Sequence, residues 1–194
     1  MGLLTGSSVL NGSLFFLQAA FLVCNFDSKL MERKYPMPRG ISTDFHNTDL
    51  LRKLNDDGVS FVLVGGGAVA AYGCRDDLYL TELDILIDPA IENAKRVIGA
   101  LSASGMKLWI SAVDLAGPKK QLPVKQLLFD MDILTPGVEE SFSAILERSG
   151  HMMVGDVEVR VIARDDLIAM KRIAANKPDP ESEKHKRDLG CLER

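Results

Sequence analysis

Cysteine is scarce in this chain, with only Cys24, Cys74 and Cys191 among 194 residues. The three are odd in number and share no metal-ligand spacing, so neither a disulfide framework nor a zinc site is expected, and they fit a reducing cytoplasm. Basic charge is not in excess: 23 Lys and Arg stand against 27 Asp and Glu, a formal net charge of −4. That balance argues against the broad cationic surface behind nonspecific nucleic-acid binding, although a local patch can still hold a small RNA. Long apolar runs are missing too. The strongest, Gly12 to Cys24, falls short of the roughly 20 residues of a membrane span. It also lacks a basic stretch before it and a small-residue cleavage site after it, so it is not read as a secretory signal. No internal repeat or low-complexity tract stands out.

What is present suits a single globular domain, since 46% hydrophobic residues in a chain of this length can bury one substantial core. Residues 1–40 differ from the rest, so the chain is divided into an apolar extension with its linker (1–40) and a domain (41–194). Two readings of the extension stay open. It is an accessory helix packing on the domain or on a second copy, which would favour a homo-oligomer, or the natural start lies at Met31 or Met37.

The richest stretch is FVLVGGGAVAAYGCRDDLYLTELDILID, Phe61 to Asp88. A short apolar run ends at Gly65, Gly66 and Gly67, where the backbone can turn sharply and come close to a ligand. Ala68 to Tyr72 then reads as a helix start, whose free N–H groups favour a phosphate. TELDILID alternates acidic and apolar positions, so Glu82 and Asp84 share one strand face while Leu83, Ile85 and Ile87 point to a core. At about 3.3 Å rise per residue the two acids start about 6.6 Å apart, close enough to converge on one divalent cation or on a pair. Further on, LLFDMDILTPG (127–137) reads as a strand ended by turn residues, with Asp130 and Asp132 on one face.

An apolar residue, paired glycines, a spacer, then acid-apolar-acid on a strand resembles the nucleotidyltransferase superfamily of the DNA polymerase β type. The spacer from Gly66 to Glu82 runs slightly long, and a glutamate stands where the first aspartate is usual. Thr81 fits the small hydroxyl residue before the first acid; the alternative register makes Asp84 the first acid and puts Leu86 second, which implies a dead site. The resemblance implies a third acid followed by two apolar residues and a hydroxyl, matched by Asp132-Ile133-Leu134-Thr135, with Asp130 the second choice. It further implies that Glu82, Asp84 and Asp132 ligate Mg²⁺ or Mn²⁺ and that Asp132 helps deprotonate the acceptor hydroxyl. Gly65 and Gly66 would cradle an NTP, with Arg75 and Lys171 neutralising its charge.

VEVRVIARDDLIAMKRIAANK reads as an alternating strand and then a helix, on which Lys171 interrupts the stripe of Leu167 and Ala174. Lys171 either snorkels to solvent or points into a cleft. Strand, acidic-Leu-Ile-Ala-x-Lys helix and Arg-Asp-Leu together resemble AbiEii-type and related minimal nucleotidyltransferases. That implies a triphosphate contact at Lys171, makes Asp188 the match to the family's aspartate, and suggests a toxin-antitoxin pair with an antitoxin partner.

The remaining elements are a helix within 44–58 carrying Leu50, Leu51 and Leu54, a helix over 89–104 with Ile91, Ala94, Val97, Ile98 and Leu101 inward, a strand over 106–111 with Trp109 in the core, and an exposed loop, LAGPKKQLPVK. This order implies an α/β (α+β) fold, a small mixed sheet with helices packed mainly on one face. The function expected is metal-dependent transfer of a nucleoside monophosphate from an NTP to a hydroxyl of RNA, protein or a small molecule. A catalytically degenerate nucleotide- or partner-binding module is the alternative.

Overall fold

Residues 42–43, 45–75, 79–80, 82–126 and 129–194 are described in the structure, a computed structural model. The chain divides into two units, Met1–Tyr35 and Pro36–Arg194. All of the first lies outside the described residues, and with it the expected extension helix; so does Thr81.

Leu50, Leu51 and Leu54 are fully buried and give α1 (Phe45–Asp56) its apolar face. The four residues of β2 (Phe61–Val64) are buried at both phases of the pleat, so this strand is covered on both sides. It leads directly into α2 (Gly65–Ala71), which starts three residues earlier than the helix expected at Ala68. Beyond it lie β4 (Leu83–Ile87), α3 (Ile91–Ala103), α4 (Ala112–Leu115), β5 (Gln121–Gln126), β6 (Phe129–Leu134) and α5 (Phe142–Arg148). The hairpin β7 (Gly150–Val154) and β8 (Val157–Val161) and the helices α6 (Arg164–Ala175) and α7 (Ser182–Leu192) complete the order. Ser42–Thr43 (β1) and Tyr79–Leu80 (β3) form a separate two-residue parallel ladder.

The mixed α/β fold is the expected one, built on a six-stranded sheet of order β5-β6-β4-β2-β8-β7. Two pairs, β4 with β6 and β2 with β8, are parallel, and the others are antiparallel. Because β2 and β4 run in opposite directions, the end of β2 meets the start of β4. Because β4 and β6 run together, their equivalent residues lie side by side. Asn93 of α3, 3% exposed, braces the other end of the β2–β4 pair, accepting from the Ser60 amide at 2.8 Å and donating to the Ser60 and Asp88 carbonyls at 3.1 Å each.

Four expectations are corrected. Residues 106–111 form no strand, and Trp109 is 97% exposed rather than core. The apolar-polar alternation holds there, but its phase buries Met106 and turns Trp109 outward with Lys107 and Ser111. Ser111 and Asp114 cap α4 reciprocally, ending the extended stretch. The second half of the expected loop is β5, an edge strand in which Pro123 is tolerated because, among the described residues, no strand pairs beyond it. Ile91 opens α3 and is 40% exposed instead of inward.

The fourth correction concerns the cysteines. Cys74 and Cys191 form a disulfide across 117 residues, with their Cα atoms 5.5 Å apart. Counting and spacing could not reveal it, because only the packing of α7 brings these two positions together. Among the described residues no helix is long and apolar enough to cross a membrane.

Candidate functional site

The site is built where β2 ends. Val64 pairs with Asp84, and Asp84 pairs in turn with Asp132, so the glycine turn and two carboxylates share one row across β2, β4 and β6. Gly65 follows at φ +58°, a conformation glycine adopts without a Cβ clash. A Cβ there would lie 1.8 Å from Asp84 Oδ2, and one on Gly66 would lie 2.7 Å from Arg75 Nη1. The two glycines therefore leave room for a carboxylate and a guanidinium. The amide of Gly66 donates to Asp84 Oδ2 at 3.3 Å, so this N–H faces the acid row.

Gly65→Ala is expected to cost about 1–2 kcal/mol for the left-handed backbone alone, and more because Asp84 must move. Gly58→Ala separates the two effects, since Gly58 has φ +66° and open space around it. Thermal unfolding of both variants should show the larger loss at Gly65; equal losses would mean that the Asp84 contact contributes nothing.

Asp132 accepts from Gln121 Nε2 at 2.9 Å through Oδ2, while its Oδ1 is buried with no hydrogen-bond partner. Burial pushes the Asp84 carboxyl up; the nearby charges of Glu82 and Asp132 add to this, and the Gly66 amide and Lys171 oppose it. Glu82 sits one residue before β4 and is exposed, accepting from Lys125 Nζ of β5 at 2.8 Å. The same ammonium lies 3.6 Å from Asp130 Oδ1, which has no hydrogen-bond partner. Asn47 of α1 fixes the Asp130 backbone, donating to its carbonyl at 3.2 Å and accepting from its amide at 3.1 Å.

Asp84 and Asp132 are thus brought together side by side. Glu82 is turned toward a lysine. Among the described residues no group of three or more His, Cys, Asp or Glu side chains is gathered to hold a metal ion. The donor chemistry still suits one: hard carboxylate oxygens are the ligands of Mg²⁺ and Mn²⁺, and the buried, unpartnered Asp132 Oδ1 is open to a cation.

Lys171 settles its two readings by being 5% exposed, pointing inward rather than snorkelling. Its Nζ lies 2.8 Å from Asp188 Oδ2, and Asp188 is 4% exposed. Arg75 grips the same carboxylate in a fork, Nε to Oδ1 at 3.0 Å and Nη2 to Oδ2 at 2.7 Å. Burial alone would push the Asp188 carboxyl up, but hydrogen bonds from Arg75 and Lys171 outweigh it and hold the carboxyl below the usual range. Asp188 lies on α7.

Sequence reasoning missed Lys125, Gln121 and Asn47. Lys125 and Gln121 were placed in a loop, and only once β5 pairs with β6 does Lys125 stand opposite Asp130 and Gln121 reach Asp132. A cavity of about 260 Å³, lined in part by Asn55, Phe61, His151 and Arg160, lies at the start of β2, opposite the glycine turn, and contains none of these acids.

Residues 46–186 match the family described as "Nucleotidyl transferase of unknown function (DUF2204)". The crystal structure of an antigenic nucleotidyltransferase-like protein from Paracoccidioides brasiliensis is similar in fold, with a TM-score of 0.51 over 75% of this chain and 72% of that one, at 12% identity. No curated protein matches the chain.

Proposed function

Given that the chain belongs to this nucleotidyl transferase family, we propose that its acid row is a transfer site, moving a nucleoside monophosphate from an NTP to a hydroxyl with release of pyrophosphate. The observation that carries this reading is the direct pairing of Asp84 with Asp132 beneath a glycine turn with no room for a side chain. Asp84 and Asp132 would hold Mg²⁺ or Mn²⁺, with Glu82 joining once it leaves Lys125. When bound, the metal supplies charge neutralisation on the triphosphate and acidifies the attacking hydroxyl.

The chain's own groups do the rest. Asp132 would accept the acceptor's proton, and Asp84 is held against the turn by the Gly66 amide. Arg75 lies over Gly66 and Lys171 within electrostatic reach of Asp84, so both cations would neutralise phosphates cradled by the turn. The acceptor classes are an RNA 3′ end, a protein side chain or a small molecule. The C-terminal likeness to AbiEii-type proteins favours a toxin role with an antitoxin partner.

The Glu82–Lys125 ion pair favours a second reading, a degenerate member that binds nucleotide without transfer. Calorimetry with Mg²⁺ and each NTP, followed by incubation of labelled NTPs with RNA and protein fractions, decides between them. The transferase reading expects label in one fraction, abolished by a chelator. Nucleotide binding with label in no fraction would leave the binding module.

A further inference from the structure

One covalent feature lies next to this site and takes no part in the chemistry above. Cys74 directly precedes Arg75, and Cys191 stands three residues beyond Asp188 on α7. The disulfide therefore ties together the same two segments that the Arg75–Asp188 fork joins. On one side the tie is short and rigid: the Cys74 amide donates to the Val69 carbonyl at 3.1 Å, anchoring it to α2, whose first two residues are the glycines of the turn. On the other side α7 carries Asp188, which also receives Lys171 from α6.

We propose that the Cys74–Cys191 bond is a positioning cross-link for polyphosphate: it holds Arg75, Asp188 and Lys171 in one arrangement beside Gly66, and opening it weakens triphosphate binding. This rests on the nucleotidyl transfer reading of the site. Arg75 and Lys171 are long side chains whose ordering costs entropy, and a fork on Asp188 retains its geometry only while α7 stays against the end of α2. A covalent tie beside the fork keeps that arrangement in the free protein, so less must be ordered when phosphates arrive. Opening the bond transfers two electrons and two protons from a dithiol, whose sulfurs become a disulfide while Cys74 and Cys191 become thiols.

The test uses the full chain, oxidised and after dithiothreitol, with the Cys74→Ser/Cys191→Ser variant beside them. Iodoacetamide followed by mass spectrometry should leave the Cys74 and Cys191 peptides unmodified before reduction and alkylated after it. Inorganic tripolyphosphate, titrated by calorimetry, should bind about tenfold more weakly to the reduced chain and to the variant, matching a loss of preorganisation. For an NTP, KM should rise by the same factor while kcat stays nearly constant. Alkylation of both cysteines before reduction overturns the proposal. So does tripolyphosphate binding that is equal, or absent, in both redox states. Because tripolyphosphate carries no transferable nucleotide, this result is read independently of any label transfer, so failure of the transferase reading shows in a different measurement.

Discussion

Asp132→Asn is expected to cut nucleotide transfer by about 10²- to 10⁴-fold, the usual worth of a positioned proton acceptor, while leaving the protein as stable as before or more so. The two effects separate because of how Asp132 is held. An asparagine oxygen can still accept from Gln121, so the one hydrogen bond to this side chain survives. Replacing the carboxylate removes negative charge beside Asp84, whose own carboxyl is pushed up by burial and by its acidic neighbours. Thermal unfolding and label transfer on the same preparation check this. Undiminished transfer would sink the assignment of Asp132, and a large fall in melting temperature would make its role structural.

Asp188→Ala should destabilise the fold by about 3–5 kcal/mol, because it leaves Lys171 buried against His185 Nδ1 at 3.4 Å with its carboxylate gone. At about 2–4 °C per kcal/mol for a domain of this size, the melting temperature should fall by roughly 10 °C. The Lys171→Met/Asp188→Leu variant removes both charges and should recover part of the loss, though Arg75 then loses its fork. The effect depends on pH with a definite sign. The folded Asp188 carboxyl lies below its usual value, so its contribution is complete above the unfolded pKa of about 3.9 and is lost as pH falls through the lower folded value. Urea unfolding should therefore show a wild-type advantage at pH 7 that shrinks below about pH 4. An advantage that stays constant into acid would place the stabilisation elsewhere.

Both predictions join residues far apart in the chain, and they show which parts of the site could be read in advance. Asp84 and Asp132 were recognisable because each sits in a local strand pattern bounded by turn chemistry. Lys171 was conspicuous as a cation in an apolar stripe, yet periodicity could not choose between snorkelling and burial. Asp188 on α7 chose, 17 residues further along. Glu82 was read as a strand acid converging with Asp84 on a cation, yet it sits one residue before β4 and meets Lys125, which belongs to an edge strand whose proline and polar residues look like a loop.

The amino-acid sequence by itself determined the elements whose signal is local: α1, β2, α3, β6, β8 and α6, the glycine turn, and the two acids that define the row. Hydrophobic period and turn chemistry are properties of neighbouring residues, so they survive without a fold. Tertiary structure alone decided the side-by-side pairing of Asp84 with Asp132, the outward phase of Trp109, the capture of Lys171 and Arg75 by Asp188, and the Cys74–Cys191 bond. Each depends on strand order, register or helix packing, where contacts are made between residues whose separation along the chain carries no trace of their partner.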